Sequence, residues 1–148
     1  MIIDAHSHLW LKQDAVVDGQ PIQTLPTNGS RSIFFGEEVQ MLPPFMIDGI
    51  NSAEIFLSNM DYAQVGGAVV VQEVIDGNQN SYLAEVQRKY ANRFCCLGMA
   101  DSIQDVDRIM EIGLKGISIP GHRLLGTSLL NKMPLFKYLE EKGLILSM

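Results

Sequence analysis

The stretch Ile2-Ile3-Asp4-Ala5-His6-Ser7-His8-Leu9-Trp10 opens with β-favouring residues and contains no Gly or Pro, so it reads as a short strand. Side chains alternate between the two faces of a strand, and His6 and His8 therefore point the same way. Their Cα atoms would lie roughly 7 Å apart, close enough for both rings to reach one ion over bonds of about 2.0 to 2.1 Å. Asp4 has the same parity, where a carboxylate could accept a ring N–H and fix the orientation of a ligand histidine. The alternative stands beside this reading: paired histidines also arise by chance, and two imidazoles supply half of a four-coordinate zinc site. Position favours a site, because the pair sits where a first strand ends and a long loop begins.

Working outward, 148 residues suit one domain with one core, and a hydrophobic share of 47% with a charged share of 19% describes a folded chain. A formal charge of -6 with no basic run argues against nucleic acid or an anionic membrane as partner and leaves a small-molecule substrate. Whether the chain forms an oligomer stays open. The two cysteines, Cys95 and Cys96, are adjacent and poorly placed for a mutual disulfide, which reads as buried thiols in a reducing compartment. No signal-peptide pattern or membrane-length apolar run is visible, so a cytoplasmic location is expected.

From 11 to 49 the composition is mixed, with Pro21, Pro26, Pro43 and Pro44 and no lasting period. A loop of that length inside a domain is usually functional, and this one is placed to cover the histidines as a lid. Arg31, Phe34 and Phe35 within it either meet a substrate or anchor the loop. Beyond it the pattern is regular. Asn51 and Glu54 resemble a capping pair for a helix carrying Ala53, Phe56, Leu57, Met60 and Ala63 on one stripe. Ala68 to Val71 reads as a strand covered on both faces, ending at Gln72 and Glu73. Asn80 suits the N-cap of a second helix bearing Leu83, Val86 and Tyr90, and Phe94 to Met99 reads as the next strand. Ser102 caps a third helix through Val106 and Ile109, followed by a strand at Lys115 to Ile119. Pro134 opens a fourth helix ending at Gly143, and Leu144 to Met148 reads as a fifth strand.

Strand and helix alternating at roughly 20 to 30 residues is the grammar of βα units on a parallel sheet. An open doubly wound sheet and a (β/α)8 TIM barrel both accept it. An open fold should cover its fifth strand with a further helix. The final strand is followed by none, which favours a barrel represented by its first four βα units and fifth strand, as the N-terminal part of one domain.

The run Ile3-Asp4-Ala5-His6-Ser7-His8-Leu9-Trp10, with Asn80-Ser81-Tyr82-Leu83, Arg93-Phe94 and Gly113-Leu114-Lys115-Gly116-Ile117 in order, resembles the amidohydrolase superfamily. The likeness is to its amidohydrolase-related group of lactone hydrolases and decarboxylases. That resemblance implies a barrel enzyme with a divalent metal ion, zinc first among them, at the C-terminal mouth, held in part by His6 and His8. The family's remaining ligands, histidines after the fifth and sixth strands and an aspartate from the eighth, have no counterpart here. The chain therefore looks like the front half of a longer protein, expected to be inactive and unstable when residues 1–148 stand alone.

Trp10, Gln72, His122 and Arg123 are the candidate substrate contacts, each following a strand at the functional end. Lys115 precedes its strand and reads as a surface lysine rather than a metal bridge. Gly66-Gly67 precedes a strand instead of opening a helix, so nucleotide binding ranks low. The expected activity is metal-dependent hydrolysis of a small lactone, amide or ester by metal-activated water. A non-oxidative decarboxylase of the same fold and a non-catalytic α/β binding domain are the alternatives. In either of the enzymatic cases the catalytic base is unknown from these residues.

Overall fold

The computed structural model describes residues 1–13 and 15–148, with the Arg123 side chain outside the described residues. Its centre is a parallel sheet, and its first strand β1 (Ile2–Ser7) is the histidine strand. The chain then makes a β-rich excursion: β2 (Val16–Val17), β3 (Gln20–Pro21), β4 (Gln23–Leu25), β5 (Asn28–Phe34) and β6 (Glu37–Gln40). Alternation of helix and strand follows, through α1 (Ala53–Tyr62), β7 (Val65–Val70), α2 (Asn80–Lys89), β8 (Phe94–Cys96), β9 (Gly98–Met99), α3 (Ile103–Glu111), β10 (Gly116–Ser118), α4 (Met133–Lys142) and β11 (Ile145–Ser147).

The parallel strands lie side by side in chain order. β1 pairs with β7 and β7 with β8, while β9 pairs with β10 and β10 with β11. The expected single strand from Phe94 to Met99 is divided at Leu97, where bonding passes from one neighbour to the other. Leu97 N–H donates to Val70 O at 2.8 Å, and Lys115 N–H donates to Cys96 O at 3.0 Å, so the two stretches act as one rail. Among the described residues no strand returns to the other side of β1 as a doubly wound order requires.

The helices bury one face of this sheet. Ala68, Val70, Phe94, Cys96 and Ile117 meet Met60, Leu83, Val86, Val106, Ile109 and Leu139 in a single core. Residues paired across strands share a face, and Val69 with its partner Cys95 is only half buried. This corrects the expectation that the Ala68–Val71 run is covered on both sides. Cys96 is buried and Cys95 partly so, and both are free.

Local capping follows side-chain chemistry with small displacements. Ser52, one residue after the expected Asn51, caps α1 by accepting from Ile55 N–H, and Ser102 caps α3. Asn80 is the first residue of α2 rather than its cap. Its side chain instead accepts from Met99 N–H at 2.9 Å and donates to Met99 O at 3.2 Å, fastening α2 to β9. Gly143 closes α4 in the left-handed conformation expected of a glycine there.

The 11–49 segment is not the structureless loop expected. It contains a hairpin of β2 and β3 and a meander of β4, β5 and β6. Asp18 and Gly19 turn the first with positive φ at both residues, and Phe35 and Gly36 turn β5 into β6 in the same way. Arg31 spans the meander, pairing with Glu38 at 2.5 Å and Gln40 at 3.1 Å. The excursion is closed at its base. Trp10 and Asn51 exchange backbone hydrogen bonds of 3.1 and 3.0 Å, the Trp10 indole N–H donates to Gly49 O at 2.9 Å, and Asn51 Nδ2 donates to His8 O at 2.7 Å.

One glycine in the sheet tests this architecture. A Cβ on Gly116 would fall 2.0 Å from the carbonyl oxygen of Ile145 in the adjacent strand. Gly116→Ala is expected to push β11 off β10 and to cost about 2 kcal/mol or more, within the range of overpacked interiors. Chemical denaturation checks the cost and hydrogen exchange at Ile145–Ser147 locates it; unchanged protection there would contradict the packing described.

Candidate functional site

Local register sets the position of each histidine. The ladder pairs Asp4 with Ala68 and Ser7 with Val70, which leaves one extra residue on β1 between them. Asp4 and the buried Ser7 therefore share the face of Ala68 and Val70, and His6 and His8, flanking Ser7, project to the other. The bulge alters the parity expected for Asp4. Its carboxylate accepts from the backbone N–H of His6 at 3.1 Å, and its charge favours the protonated form of His8.

His6 and His8 do come together, with ring centroids 5.0 Å apart in an edge-to-face arrangement. His6 is exposed and His8 half buried. Burial, and then the neighbouring His6, hold the His8 pKa below its ordinary value, so its ring is neutral near pH 7. Its Nδ1 is buried without a hydrogen-bond partner and lies 3.7 Å from Oδ2 of Asp76.

Asp76 sits in a short 3-10 turn, Val74–Asp76, just beyond β7. It is 3% exposed, an unusual place for a carboxylate. Gln13 Nε2, from the start of the excursion, donates to its Oδ1 at 3.0 Å, and Gln13 O in turn accepts from Thr24 Oγ1 at 3.0 Å. Burial pushes the Asp76 carboxyl up to about 6, against the opposing effect of the Gln13 hydrogen bond. Glu73, at the same strand end, lies 3.8 Å from Nε2 of the exposed His122 and favours the protonated form of His8. The ends of β1, β7 and β10 thus bring His6, His8, Glu73, Asp76 and His122 to one side of the sheet.

Trp10 and Gln72 make contacts within the fold. Trp10 is buried and closes the base of the excursion. Gln72 is 3% exposed and its amide is engaged on both sides: Nε2 donates to Asn80 Oδ1 at 2.7 Å and to Leu97 O at 3.2 Å, while Oε1 accepts from Gln79 N–H at 2.8 Å. Its backbone N–H donates to Ser118 Oγ at 3.0 Å, so Gln72 knits three strand ends together. The Arg123 side chain lies outside the described residues. The sequence marks Asp76, Glu73 and Gln13 as site residues only weakly: Glu73 and Asp76 follow a strand at its functional end, and Gln13 carries no signal.

The paired rings fit two donors of a divalent-ion site, with Nε2 the ring nitrogen of His8 not turned to Asp76. Among the described residues, no group of three or more His, Cys, Asp or Glu side chains is arranged to hold an ion. Residues 3–148 match the family model described as Amidohydrolase. No curated protein matches. Among solved structures, the chain is similar to a probable 2-pyrone-4,6-dicarboxylic acid hydrolase from Acinetobacter baumannii crystallised with citric acid, at 18% identity and a TM-score of 0.56 over 94% of this chain. The chain spans 44% of that structure's length. A protein from Agrobacterium tumefaciens, solved in its apo form, aligns at 13% identity and a TM-score of 0.45 over 90% of this chain and 51% of its own.

The raised carboxyl of Asp76 has a consequence for stability. A folded pKa of about 6 against an ordinary 3.8 means that the folded state binds the extra proton between those values. The stability it contributes is fully present below pH 4 and is lost as pH rises through 6, a change of about 3 kcal/mol by the usual conversion. In chelator-treated protein, Asp76→Asn is therefore expected to be more stable than the parent by about 2 to 3 kcal/mol at pH 7 to 8 and equal to it below pH 4. Urea denaturation across that range checks this, and a pH-independent difference would contradict it.

Proposed function

The chain belongs to the amidohydrolase family, and from that premise we propose that the protein containing it is a metal-dependent hydrolase of a small carbonyl substrate, a lactone, amide or ester. The carrying observation is the His6–His8 ring pair at the mouth of a parallel sheet. We read the sheet as the first five strands of a (β/α)8 barrel whose later strands supply the remaining ligands. Support comes from the strand order and from exposed area. The chain exposes 8613 Å², against about 7,500 Å² for a compact monomer of its mass. Part of that excess is on the sheet face away from the helices, where Val69 and Cys95 are incompletely covered.

In this reading His6 and His8 hold the ion, and zinc is the first choice for imidazole ligands. When bound, the ion supplies polarisation of the substrate carbonyl and acidification of water. This chain's residues do the rest of the local work. Burial keeps His8 neutral, so one ring nitrogen keeps a lone pair for coordination. Glu73 and His122 stand 3.8 Å apart beside the histidines, where a carboxylate and an imidazole can exchange a proton with a polar substrate group. The excursion, attached through Gln13, borders the site and excludes water from its buried side. The Acinetobacter protein is described as a probable hydrolase of a pyrone dicarboxylic acid, itself a cyclic ester, which supports trying lactones first. Among the described residues no helix is long and apolar enough to cross a membrane. Free Cys95 and Cys96 suit a reducing, cytoplasmic setting.

The test is a full-length preparation assayed with lactones and with aromatic carboxylates, before and after chelation. Stoichiometric metal, and lactone turnover lost on chelation, are expected. His6→Ala and His8→Ala should each lower metal affinity by more than the about 100-fold that marks the upper end for residues behind the ligands. Decarboxylation without hydrolysis would select the alternative chemistry. Metal-free protein indifferent to both substitutions would overturn the reading.

A further inference from the structure

A carboxylate buried on a 3-10 turn has no structural reason to be charged, and the structure places this one at the back of a histidine. Asp76 Oδ2 lies 3.7 Å from His8 Nδ1, the one ring nitrogen of His8 that is buried and without a hydrogen-bond partner. Its other oxygen is fixed by Gln13 Nε2 at 3.0 Å, and Gln79 Nε2 donates to its backbone carbonyl at 2.6 Å. Both contacts hold the turn so that the carboxylate faces the buried Nδ1 of the imidazole. We propose that Asp76, held by Gln13, is a positioning residue for His8 that selects the tautomer carrying the proton on Nδ1 and leaves the Nε2 lone pair free toward the mouth.

The chemistry follows from the donor inventory. A neutral imidazole has one N–H and one lone pair, and the group facing one nitrogen decides which is which. A carboxylate accepts only, so Asp76 demands a proton on Nδ1. Free imidazole side chains prefer the opposite tautomer, with the proton on Nε2, so the selection is visible against an ordinary background. The separation is longer than a hydrogen bond and shorter than solvent separation. Contacts of this kind are long in the resting geometry and tighten when the ring is loaded. The Val71 backbone also faces the ring and is the competing source of orientation. The inference rests on the metal-site reading for its purpose, since a ligand histidine is oriented by an acceptor behind it, but its tautomer claim concerns the metal-free ring.

The experiment uses full-length protein with ring-15N-labelled histidine, stripped of metal, with the His8 signals assigned by His8→Gln. Nitrogen shifts at pH 8 are expected to show the Nδ1–H form as the main species. Asp76→Asn, whose amide can donate to Nδ1, should move the population toward Nε2–H, and Gln13→Leu should move it part of the way. Zinc titration should show about a 10- to 100-fold loss of affinity in Asp76→Asn. Circular dichroism confirms that each variant is folded, and Asp76→Glu, should Asp76→Asn not fold, provides a second displacement of the acceptor. A parent protein with His8 protonated on Nε2, or a tautomer balance that no substitution at Asp76 alters, would overturn the proposal and assign the orientation to Val71. A tautomer that responds to Asp76 in a protein that binds no zinc would defeat the metal reading and leave this one standing.

Discussion

The parallel pairing of β1 with β7 is the constraint from which the rest of the site follows. Ser7 sits at its upper end: its carbonyl accepts from Val71 N–H at 2.9 Å, and its hydroxyl donates to Val69 O at 3.0 Å. Those bonds stop β1 from slipping after the extra residue between Asp4 and Ser7, and a slip of one would turn both histidines to the helix side. They also bring the chain beyond β7 alongside the chain beyond β1. Asp76 reaches His8 only because the two strands end together. Small side chains serve the same end, since Ser7 and Ser118 bond across strands without displacing the helices.

A second constraint acts on the excursion between β1 and α1. The entropic cost of closing a chain segment rises only slowly with its length, so the fold tolerates a long insertion provided its ends are fastened. Trp10 and Asn51 fasten them, and Gly29 and Gly49 permit the next contact, where a Cβ on Gly29 would meet Gly49 N at 2.5 Å. The result is an ordered β-structure that, among the described residues, hydrogen-bonds Asp76 through the Gln13 side chain. A tryptophan beside two histidines looks like a substrate wall in the sequence; here it is the clasp of the insertion.

How much was legible depended on where the information lay. Apolar runs and helical stripes are local, and the α/β order with every main helix was readable from them. The meander was hidden because its buried alternating residues, Ser30 and Ser32, are small and polar. The Asp18-Gly19 pair is the sequence signal of its neighbouring hairpin turn. The histidine pair was legible because both rings belong to one strand. Asp76, Glu73 and Gln13 were not, because their meeting requires the β1–β7 register and the closure of the excursion. Gln72 illustrates the reverse: its place after a strand suggested contact with substrate, while the unsatisfied groups of three neighbouring strand ends claim its amide.

The account stands on two imidazoles sharing one ion at the sheet's mouth. Anomalous diffraction at the zinc edge, from crystals of the full-length protein grown with zinc, examines that directly. A peak at about 2.0 to 2.1 Å from one ring nitrogen of each of His6 and His8 is predicted. A peak placed elsewhere, or ordered rings with no peak between them, would contradict it.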